Sequence, residues 1–464
     1  MPLTEPAMAH HLPLNAIQLR PHDKSTARPV HAGCGQHGAT LIELMVGMVI
    51  GMLAVLVIAQ VAMFYEGQKR STTTGSDAQV NGALAMQTVQ RDVQMGGYGI
   101  TSGLSAVGNT VGTTTVPFMP AAGCAIRAML GSTVATEAPP RIAPVIIDDG
   151  ANSAPDTVRV AFSGQGNFAV PIAVVPPAGA ATVHVPAATA FVLRSAVNLG
   201  NSQGDLMMAV HVPADTTIAP SCTLFSLNMN GMNPLLRDAA GNETEDTANP
   251  LGTVADGTPL YEGVAPVGGL RVGPRLGHVA DATSSGVWNG DGATPLFPLA
   301  LDGPGPAGAN AYLVNLGRPA DFVYRSYSVN TIGLAVRNFN ATNGTAASQD
   351  LYAGIIDLQA VYGKALGTDP TQVTAWNAAD PALDILDSAG NTINGWSRVV
   401  AVRLALVARS QQYEKSEVTA VQPTWRPNGV DPVTLKIDGN ADWKHYRYKI
   451  YETVVPLRNM IWQS

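Results

Sequence analysis

Glu43 is the residue of this chain whose placement most demands a chemical reason. It stands at the head of an apolar run in which residues 44–59 carry no charge or strongly polar side chain, and residues 61–65 extend that run past Gln60. About 20 such residues cross the hydrocarbon of a bilayer. A carboxylate in a spanning helix costs roughly 2.5–3.5 kcal/mol near the centre and less toward the end, so it marks function or a specific partner. Glu43 therefore needs a cation, and the chemistry it offers is ion pairing at low dielectric.

Motifs that would support turnover are incomplete. Residues 200–204, GNSQG, satisfy Gly-x-Ser-x-Gly around Ser202, but the following DLMMAVHV reads as a strand where a nucleophile elbow needs a helix. With 47 glycines in 464 residues, a chance match of that pattern is expected. Residues 303–308, GPGPAG, fit Gly-x-Gly-x-x-Gly, yet Pro304 and Pro306 lack the amide hydrogens a phosphate loop would offer. Asp438, Asn440 and Asp442 alternate as calcium ligands do, without the bidentate glutamate that closes such a loop. Asp148 and Asp149 read as a hairpin connection, and His445 among Trp443, Tyr446 and Tyr448 reads as packing. His10, His11, His22, His31 and His37 precede the apolar run, leaving His184, His211, His278 and His445 for the rest. No catalytic residue, metal site or cofactor is expected.

The elements around these residues divide the chain in three. Residues 1–38 are polar and aperiodic, in the manner of a leader. Residues 39–95 contain no proline, and beyond the apolar run Gly82, Met86, Val89 and Val93 recur at spacings of 4, 3 and 4, one face of a helix. The spacing predicts a long helix over 39–96, membrane-spanning over about 39–65 and amphipathic after it, stopped by Gly96 and Gly97. From residue 97 the period falls to two. PVIIDDG, DTVRVAF, TAFVLRS, LMMAVHV, RVVAVRLALVARS and YKIYETVVPLRN read as strands between Gly, Pro, Asn and Asp clusters. Residues 228–310 read as a loop-rich insertion. The fold class expected is α+β, a long N-terminal helix followed by a β-rich head of antiparallel strands over 97–464.

Composition narrows the partners. The chain is 46% hydrophobic and 13% charged, enough apolar residues for a sizeable core outside any anchor. A net charge of −7 with no cluster of Lys and Arg argues against nucleic acid.

At this point the residues carry a resemblance. GATLIELMV, residues 38–46, resembles the class III signal of type IV pilins and type II secretion pseudopilins: a glycine, one variable residue, then Thr-Leu-Ile-Glu. QRDVQMGGYGI, with Asp92, Gly97, Tyr98 and Gly99, is similar to the helix end of PilW-type minor pilins, and LYAGIIDLQAVYG, residues 351–363, is similar to a later segment of that family. The 38-residue leader is long for this class and Ala39 stands where Phe or Met is common; initiation at Met8 would shorten the leader to 31 residues.

What the resemblance implies is cleavage between Gly38 and Ala39 by a prepilin peptidase, methylation of the new Ala39 amine, and pairing of Glu43 with the amine of a neighbouring subunit. It implies a pilin-like head and a single-pass inner-membrane protein with that head in the periplasm, reaching the pilus or cell surface after assembly. Its partners would be other minor pilins, the major pilin and the inner-membrane assembly platform, in a minor-pilin complex that primes type IV pilus assembly at the tip. A J-type pseudopilin of type II secretion, or a tip adhesin using the 228–310 insertion, are the other readings. With Cys34 lost in the leader, Cys124 and Cys222 remain as a disulfide or as two separate buried thiols.

Overall fold

The computed structural model describes residues 40–100, 122–164, 311–366, 371–381, 395–429 and 441–461 continuously. It also describes shorter stretches at 109–111, 114–116, 172–174, 182–184, 204–211, 222–227, 234–237, 243–245, 270–278, 287–291, 296–297, 369, 385–386, 392–393, 433–435 and 437. The chain divides into two compact units, Met1–Glu66 and Gly67–Ser464.

Helix α1 runs Leu41–Met95, close to the 39–96 predicted. In the first unit its residues are all exposed and almost all apolar, and Leu41–Lys69 is long and apolar enough to cross a membrane. In the second unit the periodic face does what its spacing predicts: Gly82, Met86, Val89 and Val93 are buried, with Ala85 beside them. The helix stops where glycine permits. Gly97 takes φ +80° and Gly99 φ +66°, conformations costly for any residue with a Cβ.

That face packs on two antiparallel sheets. Nine strands build them: β1 Val145–Asp148, β2 Thr157–Ser163, β3 Phe322–Val329, β4 Gly333–Asn340, β5 Thr345–Ala353, β6 Ile355–Lys364, β7 Ala375–Asn377, β8 Val399–Arg409 and β9 Tyr448–Pro456. The first sheet has the order β5-β4-β3-β2-β1 and the second β7-β6-β8-β9. Val89 and Val93 share one core with Val158 and Tyr327 of the first sheet and Leu404 and Val455 of the second. β8 is VVAVRLALVAR, buried almost throughout, and so lacks a polar alternation.

A third sheet closes the head on its other side, in the order Thr133–Val134, Ile126–Leu130, Cys222–Ser226, Leu206–His211, Ala311–Asn315, Ile172–Ala173. Cys222–Ser226 runs parallel to Ile126–Leu130, which departs from the purely antiparallel head expected. Cys124 and Cys222 are joined by a disulfide across this pair, with Cα atoms 5.9 Å apart.

The stretch read as loop-rich, 228–310, is more ordered than its composition suggests. Pro234–Arg237, Glu243–Glu245 and Leu270–Gly277 form a sheet with Thr182–His184. Trp288 is fully buried and its indole donates to the Ala341 carbonyl at 2.7 Å; Asn289 exchanges hydrogen bonds of 2.8 and 2.9 Å with the Ser226 backbone. The stretch is thus stitched into the head by its own aromatic and amide side chains. Its strands are short and Gly/Pro-flanked, so no period is long enough to read. TAFVLRS, 189–195, lies outside the described residues.

Candidate assembly site

The first turn of α1 is built around Thr40. Its carbonyl accepts from the amides of Glu43 at 3.0 Å and Leu44 at 3.2 Å, and its hydroxyl accepts from the Glu43 amide at 3.4 Å. Thr40 and Glu43 therefore hold the Ncap and N3 positions of a Thr-x-x-Glu start, a signal present in the sequence alongside the charge argument. The arrangement places the Glu43 carboxylate at the positive end of the helix macrodipole, on an otherwise apolar surface. Gly38 and Ala39 lie outside the described residues.

At the other end of α1 the motif residues acquire physical roles. Asp92 is buried, and one of its oxygens accepts from Arg325 Nη1 at 2.6 Å and from the Tyr327 hydroxyl at 2.5 Å, both on β3. Burial foremost, then the Asp92 carboxylate, raises the Tyr327 phenol; desolvation opposes the Arg325 charge, but its bond and attraction to Asp92 prevail and raise it. Gly97 donates to the Ala161 carbonyl at 2.9 Å, and the Tyr98 carbonyl accepts from Ser163 at 2.8 Å, so the GGYG turn docks along β2. A Cβ on Gly99 would sit 2.9 Å from that of Ser163. Asn459 donates to the Gly96 carbonyl at 3.0 Å, closing the helix end. Earlier on the helix, Gly82 lies against the Tyr451 ring, whose hydroxyl donates to the Gln79 carbonyl at 2.8 Å.

DLQAVYG, on β6, fastens the β1–β2 hairpin to the second sheet. The Tyr362 hydroxyl accepts from the Ile147 amide at 2.6 Å, and Gln359 donates to the Ala154 carbonyl at 2.9 Å and to Asp357 at 3.0 Å. Asp156, in the hairpin, accepts from the amides of Gly150 and Ala360, each at 2.8 Å. Burial pushes the Asp156 carboxyl up to about 7 against those two donors, with Asp149 and Asp357 adding to the rise; burial also pushes Asp357 up to about 6, against Gln359 and the Leu358 amide.

Of the weaker candidates, Ser202, residues 303–308, Asp438 and Asn440 lie outside the described residues. Asp205 is followed by the strand Leu206–His211. Asp442 precedes the short 3-10 turn Trp443–His445, and His445 stacks on Tyr413 at 4.7 Å while its Nδ1 meets the Glu414 carbonyl at 2.7 Å. Asp148 ends β1 and pairs with Arg159 at 2.5 Å. Among the described residues no group of three or more His, Cys, Asp or Glu could hold a metal ion. Arg325 and Tyr327 were not singled out by sequence reasoning, although FVYRSYSV alternates as a strand does.

An exposed apolar helix with an acid in its first turn, running into a β-rich head, defines the class of anchored, prepilin-like chains. Residues 34–59 match the family model of the prokaryotic N-terminal methylation motif, and residues 322–459 match that of the type IV pilus-assembly protein W. The matches bear out the resemblance to PilW-type minor pilins and support a minor pilin of the type IV pilus, a structural family. The second match starts at the first residue of β3 and ends on Asn459, taking in Arg325, Tyr327 and all of β6. No curated protein and no solved structure gives a significant match to the chain.

Proposed function

We propose that this chain is a prepilin cleaved between Gly38 and Ala39 by a prepilin peptidase, methylated at Ala39, and held in the inner membrane by α1 with its head in the periplasm. The domain limits proposed are a leader over 1–38, a helix over 39–96 and a head over 97–464. From the membrane the chain joins other minor pilins in a complex that primes assembly of the type IV pilus, with the major pilin and the inner-membrane platform as its further partners, and it takes a place at the tip. The reading is carried by one coincidence: the methylation motif covers the turn in which Thr40 starts the helix and Glu43 stands on an apolar surface.

Assembly exchanges helix surface covered by lipid for helix surface covered by neighbouring helices. The Glu43 carboxylate and a neighbour's Ala39 amine neutralise each other at low dielectric, where either alone is costly. A slip of one helical turn, ~5.4 Å, would part the charges, so the pair also sets register. A J-type pseudopilin role shares every step up to the choice of fibre, and the match to pilus-assembly protein W favours the pilus. N-terminal mass analysis of the membrane-extracted protein tests the reading: a chain starting at methylated Ala39 supports it, and an intact leader overturns it.

A further inference from the structure

Two segments of the second unit are used neither by the helix seam nor by the proposed assembly step. Residues 410–421 and 442–449 are bound into one surface: the Ser410 amide donates to the Arg447 carbonyl at 2.9 Å, Glu414 to His445 at 2.9 Å, and Val418 and Thr419 to Lys444 at 2.9 and 3.0 Å. The Arg447 guanidinium donates to both Glu414 oxygens, at 2.6 and 3.0 Å.

The charge of this surface runs against that of the chain. Together with Arg409 it holds five cations, Arg409, Lys415, Lys444, Arg447 and Lys449, against Glu414, Glu417 and Asp442, a net +2 in a chain of net −7. Among them lie Tyr413, 43% exposed, Val421, 75% exposed, and the half-buried Trp443 and Tyr446. Aromatic rings beside Lys and Arg suit the boundary between headgroups and water, where rings sit at headgroup level and cations meet anionic lipid.

Chain connectivity supplies the location. A groove of about 340 Å³ lies between Ser410, Arg447 and Lys449 on one side and the α1 turn of Gly75 and Gln79 on the other. Gly75 is six residues beyond Lys69, where the helical stretch able to cross a membrane ends, or about 9 Å of helix. That rise is comparable with a Debye length of roughly 8 Å at physiological ionic strength, and Arg447 and Lys449 are the cations that line the groove at this turn.

We infer that the 410–421 and 442–449 surface docks on the bilayer and binds anionic phospholipid headgroups, holding the head at the membrane before the subunit is withdrawn into a fibre. The inference rests on the reading of Leu41–Lys69 as a membrane span. Hydrogen exchange by mass spectrometry tests it on the full chain, in nanodiscs of phosphatidylcholine alone and of phosphatidylcholine with phosphatidylglycerol. The expected result is several-fold slower exchange across both segments in the anionic discs only, lost in Lys415→Gln/Lys444→Gln/Lys449→Gln at an unchanged unfolding midpoint. A chain that inserts, with residues 41–69 protected, but exchanges identically in both discs overturns the inference alone. A chain that fails to co-elute with discs overturns the span and the inference with it.

Discussion

Asp92 of helix α1 and Arg325 of β3 meet at 2.6 Å across 233 residues of sequence, with the acid 4% exposed and the base 34%. Breaking such a pair from the buried side leaves the guanidinium and the Tyr327 hydroxyl short of an acceptor. Removing one partner of a buried pair costs ~3–5 kcal/mol, and the part-exposed arginine places this one near the low end. Asp92→Ala is expected to lower head stability by about 3 kcal/mol in denaturant unfolding. In a double-mutant cycle, Arg325→Ala should add little once Asp92 is gone.

The Cys124–Cys222 bridge closes a loop of sequence separation 98 between parallel neighbouring strands. In the chain-entropy account a loop of that length contributes up to ~4–5 kcal/mol. Cys222→Ala should lower the unfolding midpoint, and reductant should lower the midpoint of the parent protein but not that of the variant. An identical midpoint with and without reductant would contradict this.

Acid should favour the head through Asp156 and Asp357. Folded, burial holds their carboxyls up at about 7 and about 6; unfolded, both return toward the ordinary aspartate value of 3.8. Between these values the folded state holds protons the unfolded chain has released, so stability falls as pH rises from about 4 to 7. Denaturant midpoints at pH 5 and pH 8 should therefore differ, with pH 5 higher. Asp357→Asn cannot ionise, and it should flatten the slope and raise stability at pH 8 by ~2 kcal/mol.

Much of the helix was legible and much of the head was not. Gly82, Met86, Val89 and Val93 announced a buried face because helical periodicity survives wherever one side meets a core. β1, β2, β8 and β9 were equally readable, being runs rich in β-branched residues between turn residues. Asp92 was visible only as part of a pattern, since its partners Arg325 and Tyr327 are brought to it by tertiary folding. The sheet within 228–310 escaped because strands of three to eight residues among glycines and prolines leave no period, and Trp288 gives no sign in sequence of the carbonyl it will find at Ala341.

Glu43 separates charge from shape. Glu43→Gln keeps the length of the side chain and a hydrogen-bonding end at N3, so the helix start should survive, while the proposed ion pair with a neighbour's amine should be lost. Piliation and subunit incorporation, scored at matched expression, should fall in Glu43→Gln nearly as far as in Glu43→Ala. Retained incorporation in both would remove the ion-pair step from the account.

The seat of the helix is finished by residues far along the chain. Tyr451, which covers Gly82, and Asn459, which closes the carbonyls after Met95, stand 372 and 363 residues beyond the helix carbonyls they bond, at Gln79 and Gly96. The second half of the helix is therefore made long before the residues that seat it. A chain truncated before Tyr448 lacks both residues, so its helix end stands open and should be cut by added protease faster than that of the whole chain.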